Sequence, residues 1–339
     1  MSPSGKAAVF GTAIRRFESF HPNYRSMVER DAAWLFFSGS SHPALAAEIT
    51  RFLGQTQGKI AIERFPDGEI GIQILENVRG KDVFLLQSIA RRPNHYLMEL
   101  LIIVDALKRA SAKSISVLLP YYGYARQDRK NKGRTPITAK LVADLLEKAG
   151  VTRVLTLDLH TEQIQGFFDI PVDNLYARPL FVHAIWEMGL QDIVVVSPDV
   201  GSNKLARRFA EDLKADIAIV DKRRIDESAG KVEVSALIGD VKGKNALIVD
   251  DICSTGSTLA AAAKVCRREG AKSVYAFITH GFSAARALEG DVLDGVYFTD
   301  SIPPMEKLEG VKTVSVASLF GQAVQRLLAA ESISSLFKS

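Results

Sequence analysis

The chain has 339 residues, 47% of them hydrophobic and 24% charged, which describes a folded protein of about two domains and excludes a disordered or low-complexity chain. Its 43 Lys and Arg against 39 Asp and Glu leave a formal net charge of +4, too little for a polybasic binder, so no nucleic-acid partner is expected. Two cysteines, Cys253 and Cys266, exclude a disulfide framework and a Cys-rich zinc site; they suit a reducing compartment, and a cytoplasmic location is expected.

Residues 1–33 mix Lys6, Arg15, Arg16, Arg25 and Arg30 with Glu18, Glu29 and Asp31. They hold no apolar run of the kind a signal peptide needs, and they read as an N-terminal extension. From Trp34 on, short apolar strands alternate with helical stretches. Strands are expected over residues 34–37, 59–64, 70–75, 82–87 and 114–119, and helices over 43–53, 97–109 and 138–148. Phe65-Pro66-Asp67-Gly68-Glu69 joins two of these strands. Pro presets φ and Gly accepts a positive one, so this is a turn. The most apolar stretch, 97–107, is broken by Glu99 and Asp105 and is far short of a bilayer, so no membrane partner is expected.

The second half repeats the rhythm. Residues 154–159, 193–196, 217–220, 246–249 and 274–279 are nearly continuous apolar runs, with helical stretches at 204–213 and 258–268. Such runs suit parallel strands covered on both faces. The alternation implies α/β domains with right-handed crossovers, two of them, meeting near residues 150–175. Parallel sheets bind ligands beyond the carboxyl ends of their strands, so polar residues at those ends are the candidates.

The strongest candidate is Val249-Asp250-Asp251-Ile252-Cys253-Ser254-Thr255-Gly256-Ser257-Thr258. A buried strand ends in two carboxylates, and a hydroxyl-rich loop opens a helix. Backbone N–H groups and a helix N-terminus can surround a phosphate, while carboxylates accept hydrogen bonds from sugar hydroxyls. The bland alternative is a strand-end Asp pair with an N-capping hydroxyl. The Walker A spacing is absent. His160 follows a second strand end, either as a ligand or as a structural histidine. Asp199 follows a third, as a hard-cation ligand or a helix cap. Lys222-Arg223-Arg224 ends a fourth, ahead of a polar stretch, 225–231, that reads as a mobile loop. Such cations can cover a phosphate or simply face solvent. Tyr121, Tyr122 and Tyr124 beside Arg126 suggest stacking and phosphate contact.

In order and spacing, these segments resemble the ribose-phosphate diphosphokinase (phosphoribosyl pyrophosphate, PRPP, synthetase) family, class I. The likeness spans residues 34–337, through Arg64-Phe65-Pro66-Asp67-Gly68-Glu69, Tyr124-Ala125-Arg126-Gln127-Asp128-Arg129, Asp158-Leu159-His160, Ser197-Pro198-Asp199 and Val249-Asp250-Asp251. It implies two phosphoribosyltransferase-like α/β domains, each a mostly parallel sheet flanked by helices. Residues 34–173 would form the ATP side, residues 174–320 the ribose 5-phosphate side, and a tail from about 321 to 339 would return to the first domain. The implied reaction moves diphosphate from ATP to the anomeric hydroxyl of ribose 5-phosphate, giving PRPP and AMP for nucleotide biosynthesis, with Mg²⁺ as cofactor.

The resemblance also assigns roles. Lys222 and Arg224 are the catalytic pair. Phe65, Asp67, Gly68 and Glu69, on the hairpin of a neighbouring subunit, join Arg126 and Gln127 at ATP. Arg224, Asp250, Asp251, Ser254, Thr255, Gly256, Ser257 and Thr258 take ribose 5-phosphate. His160 and Asp199 take the metal. Arg79, Arg134, Ser332, Ser334 and Phe337 match regulatory positions for phosphate and ADP. The implied assembly is a homo-oligomer, a hexamer of dimers. Three features depart from the family pattern: Ser254 and Ser257 in the loop after Asp251, the stretch after Arg224, and Gly201-Ser202-Asn203-Lys204. The alternative activity is that of a non-catalytic, regulatory relative.

Overall fold

The computed structural model describes residues 33–226, 231–284, 288, 291–304 and 310–337. The side chains of residues 222–235 and of Phe337 lie outside that description, so the Lys222, Arg224 and Phe337 assignments do too, beyond their backbone.

The first half contains β1 (Trp34–Ser38), β2 (Ile60–Arg64), β3 (Ile70–Ile74), β4 (Asp82–Leu86), β5 (Ser114–Leu119), β6 (Arg153–Leu157) and β7 (Val172–Leu175). Five of these strands form a sheet in the order β1-β4-β5-β6-β7, parallel throughout. Helices α1 (Pro43–Leu53), α2 (Pro93–Arg109) and α3 (Thr138–Ala149) supply crossovers. Both faces are covered, which is why Val83, Phe84, Leu85 and Leu86 are all buried. The strands β2 and β3 stand apart as an antiparallel hairpin. Its turn closes through Phe65 N–H to the Glu69 carbonyl at 2.9 Å, with Gly68 at φ 97°, as the Pro-Asp-Gly chemistry requires.

The second sheet runs β10-β9-β8-β11-β12-β13-β14. Its strands are β8 (Ile193–Ser197), β9 (Asp216–Asp226), β10 (Lys231–Ile238), β11 (Asn245–Cys253), β12 (Ser273–Gly281), β13 (Gly295–Thr299) and β14 (Val311–Val314). Every pairing is parallel except β9 with β10. Helices α4 (Arg178–Glu187), α5 (Asn203–Leu213), α6 (Ser257–Arg268) and α7 (Ala317–Leu328) accompany it. The chain changes sheets between Leu175 and Ile193. At the end of β12, a Cβ on Gly281 would lie 2.0 Å from the Phe298 ring, so only glycine lets the two strands approach there.

Several elements differ from the sequence reading. Beyond its pairing with β8, strand β9 continues to Asp226, and β10 starts at Lys231. The stretch expected as a loop is therefore strand at both ends. Lys222 is paired with Val234 and Arg224 with Val232. The expectation also omitted α4, β7, β13, β14 and α7.

The halves share one core. Phe84, Leu155 and Leu157 of the first sheet cluster with Phe181, Phe277 and Phe320 of the second half. Phe277 stacks on Tyr297 with ring centroids 4.5 Å apart. Each such fully buried side chain contributes about 1.5–3 kcal/mol. Helix α7 packs against α1, and Ser315 Oγ donates to Glu48 at 2.8 Å.

Candidate active site

A cavity of about 640 Å³ opens where the carboxyl ends of the two sheets face each other. Strand β5 delivers Arg126 to it, β6 His160, β8 Asp199, and β11 Asp250 and Asp251. This is the edge at which parallel sheets bind ligands.

After β11, the loop Ser254-Thr255-Gly256 lines the cavity and leads into α6. Gly256, at φ 82°, occupies the N-cap position, and Thr255 Oγ1 lies 2.9 Å from Ser257 Oγ. The first turn of a helix leaves backbone N–H groups without intrahelical partners, so loop and helix together present N–H donors to an anion. Arg126 crosses from the first half and donates to Ser254 Oγ at 3.1 Å. The serine that departs from the family pattern thus joins the two sides of the cavity.

The carboxylates are arranged in linked pairs. Ser202 Oγ donates to Asp250 at 2.6 Å, and its N–H donates to Asp199 at 3.0 Å. Burial, and then the Asp251 charge, push the Asp250 carboxyl up. Burial is the largest single effect on Asp251 and pushes it up as well, but the bond to His160, the electrostatic pull of the His160 and His280 rings and the bond to Asp250 together outweigh it, and the net shift is down. His160 Nδ1 lies 2.6 Å from Asp251 Oδ2, and this bond raises the His160 ring against the opposing effect of burial. One aspartate therefore stays ionised beside a basic imidazole, while its neighbour resists ionisation.

Behind this layer runs a buried polar seam between the halves. Asp158, at φ 36°, accepts from Ala177 N–H at 3.1 Å and from Thr279 Oγ1 at 2.7 Å. His280 Nε2 faces the carbonyls of Leu157 at 3.1 Å and Asp158 at 3.2 Å. Ser88 Oγ donates to the Ser301 carbonyl at 2.8 Å, and Arg91 Nε to the Pro303 carbonyl at 2.7 Å.

This seam carries a pH signature. Burial lowers His280 from 6.5 to about 4, so between those values the unfolded chain binds a proton that the folded chain refuses. The stability due to neutral His280 is complete above the upper value and is lost as pH falls through the window. Burial moves Asp158 from 3.8 to about 6; this carboxyl holds its proton better when folded and works in the opposite sense. His280→Gln removes only the first effect. The melting temperature of the variant minus that of the wild type should therefore grow more positive as pH is lowered from 6.5 to 4. A difference that does not change with pH would exclude His280 as a source of acid lability.

Of the residues singled out by sequence, Arg126, His160, Asp199, Asp250, Asp251 and Ser254 to Thr258 line the cavity. Gln127 does not; it accepts from Thr138 Oγ1 at 2.5 Å. Phe65, Asp67, Gly68 and Glu69 do not line it either, and Phe65 is 47% exposed on its hairpin. Arg79, Arg134, Ser332 and Ser334 also lie off the cavity; Arg79 donates to Ser111 Oγ at 3.1 Å, and Ser334 N–H to Ser332 Oγ at 3.2 Å. Sequence reasoning missed Glu162, which holds Lys204 at 2.7 Å and Arg208 at 2.8 Å across the cavity. It also missed Asn174, whose Oδ1 accepts from Leu159 N–H at 3.1 Å.

Fold and site together define an α/β protein whose cavity, at the carboxyl ends of two mostly parallel sheets, offers N–H donors to an anion beside paired carboxylates. Two family models match the chain: the N-terminal domain of ribose phosphate pyrophosphokinase over residues 34–150, and the phosphoribosyl synthetase-associated domain over residues 226–338. The chain is 51% identical over 308 residues to the ribose-phosphate pyrophosphokinase of Fusobacterium nucleatum, spanning 89% of this chain and 97% of that protein. It is 48% identical over 310 residues to that of Nitrosomonas europaea, spanning 89% and 98%. The crystal structure of phosphoribosylpyrophosphate synthetase from Mycobacterium smegmatis matches with a TM-score of 0.82 at 40% identity, covering 88% of this chain and 99% of that one. The chain belongs to the ribose-phosphate pyrophosphokinase family, and its activity is diphosphate transfer in PRPP synthesis.

Proposed function

We propose that the chain transfers diphosphate from ATP to the anomeric hydroxyl of ribose 5-phosphate, releasing AMP and supplying PRPP for nucleotide biosynthesis. The observation that carries this reading is the bond from Arg126 to Ser254. It brings the cation assigned to ATP and the loop assigned to the sugar phosphate to one cavity. In this reading the loop N–H groups hold the 5-phosphate, and Asp250 and Asp251 orient the ribose hydroxyls. Lys222 and Arg224 neutralise charge that develops on the transferred group, since phosphoryl-type transfer depends mainly on positioning and neutralisation.

The donor set suits Mg²⁺. His160 turns Nδ1 to a carboxylate, the arrangement that leaves Nε2 for a metal, and Asp199 supplies a hard oxygen. Among the described residues no three ligating side chains form a cage; Mg²⁺ takes much of its coordination from substrate phosphates and water. When bound, it would offset phosphate charge. The hairpin of Phe65, Asp67, Gly68 and Glu69 lies off the cavity of its own chain, which suits service to a neighbouring copy in a hexamer of dimers. Phosphate and ADP as effectors at Arg79, Arg134, Ser332, Ser334 and Phe337, and a cytoplasmic location, belong to the same proposal. Among the described residues no helix is long and apolar enough to cross a membrane.

Purified full-length chain given ATP, Mg²⁺ and ribose 5-phosphate should form AMP and PRPP in equal amounts, and neither product when the sugar is left out. No AMP with the sugar present would overturn the proposal and leave the non-catalytic, regulatory reading.

A further inference from the structure

We infer that His280 is a positioning residue: as a neutral imidazole protonated at Nε2, it grips the main-chain turn that presents His160 to the cavity. This rests on the role proposed for His160.

The turn needs holding. Asp158 is a non-glycine residue at φ 36°, in the sparsely populated left-handed region, and such a conformation persists only where its surroundings enforce it. Its N–H donates to the Leu175 carbonyl at 2.9 Å, and Leu159 N–H donates to Asn174. The carbonyls of Leu157 and Asp158 point the other way, to His280 Nε2. Carbonyl oxygens only accept, so the proton sits on Nε2. Nδ1 is then an acceptor, and Ser301 Oγ stands 2.8 Å from it. Tyr121 packs edge-on against the ring with centroids 5.0 Å apart. His280 itself belongs to β12, in the other half of the molecule from the turn it holds. His280 is 2% exposed and does not line the site cavity. The ring therefore acts through the backbone and does not touch substrate.

The two amide substitutions divide the ring's functions. Gln places its amide near Nε2 and keeps the N–H donor. Asn reaches only the Nδ1 position and lacks it. His280→Asn should lower turnover by up to about 100-fold, the cost of a small misplacement of a catalytic group, with little change in the KM for ribose 5-phosphate. His280→Gln should recover most of the rate. If His280 works through His160, adding His280→Asn to His160→Ala should cause no further loss, since two residues acting as one unit are not additive.

Four results overturn the inference: equal rates for the Asn and Gln variants, additive losses in the double variant, wild-type turnover in His280→Asn, or failure of both single variants to fold, which would make the role purely structural. A His160→Ala enzyme as fast as wild type would instead overturn the role proposed for His160.

Discussion

Replacing Asp250 by asparagine is expected to slow the enzyme about 100-fold through lost positioning of the sugar, and yet to leave the fold at least as stable. The carboxyl is pushed up by burial and by the neighbouring Asp251 charge, so its ionised form is held at a cost to the folded state. Asparagine keeps an Oδ1 that can accept the two bonds now made to Asp250, from Ser202 Oγ at 2.6 Å and from Asp251 N–H at 3.0 Å. It removes one of two adjacent negative charges. The midpoint of thermal unfolding should rise, by about 2 °C for each kcal/mol relieved in a chain of this size. A residue that weakens the fold while serving the reaction is the expected signature of a functional site. Steady-state kinetics and calorimetry on the same preparation decide it. A lower melting temperature would make Asp250 a residue of the fold, and an unchanged rate would remove it from the site.

The strand-end rule accounts for most of what was legible. Asp250 and Asp251 directly follow the apolar run 246–249, Asp199 follows the run 193–196 after Ser197-Pro198, and His160 closes the mostly apolar segment 154–159; in a parallel sheet such strand ends are the ligand edge. The same rule applied one residue further would have found His280, which follows Phe277-Ile278-Thr279. The expected strand stopped at Thr279, whereas β12 continues to Gly281. Strand β10 was legible too. Val232, Val234 and Ala236 alternate with Glu233 and Ser235, a period of two, but the charged residues before them drew the reading toward a loop.

Other elements carried weaker signals. In α4, Leu180, Phe181, Val182, Ala184, Ile185 and Trp186 are nearly contiguous, so no single apolar stripe marks a helix. Glu162 lies on one side of the cavity and Lys204 and Arg208, four residues apart on α5, on the other. Asp158 and Thr279 are 121 positions apart in the chain and meet only because the two sheets face each other at their carboxyl ends. Pairings of that range come from topology, and one sequence does not encode them locally. The seam they form couples the halves near the site, so the loop bearing His160 is fixed by residues from both.

Lys222→Ala is expected to lower turnover by about 100-fold or more, as loss of a group that stabilises transition-state charge does, while the KM for ATP changes little. The contrast follows from where the charge is needed. ATP already carries its negative charge in the ground state, and Arg126 and Mg²⁺ are assigned to meet it there. A cation whose contribution is made mainly in the transition state lowers kcat and kcat/KM together when it is removed. Lys222 lies on the part of β9 beyond its pairing with β8, where only β10 is its neighbour. A two-stranded ribbon of this kind is marginal by itself, so the alanine variant should not disturb the parallel sheet, and its melting temperature should match the wild type. Arginine at this position keeps the charge but spreads it over a planar fork, so Lys222→Arg should restore little of the rate if a compact ammonium is required. An increase in KM for ATP at constant kcat would assign Lys222 to binding, and an unchanged rate would remove it from the reaction.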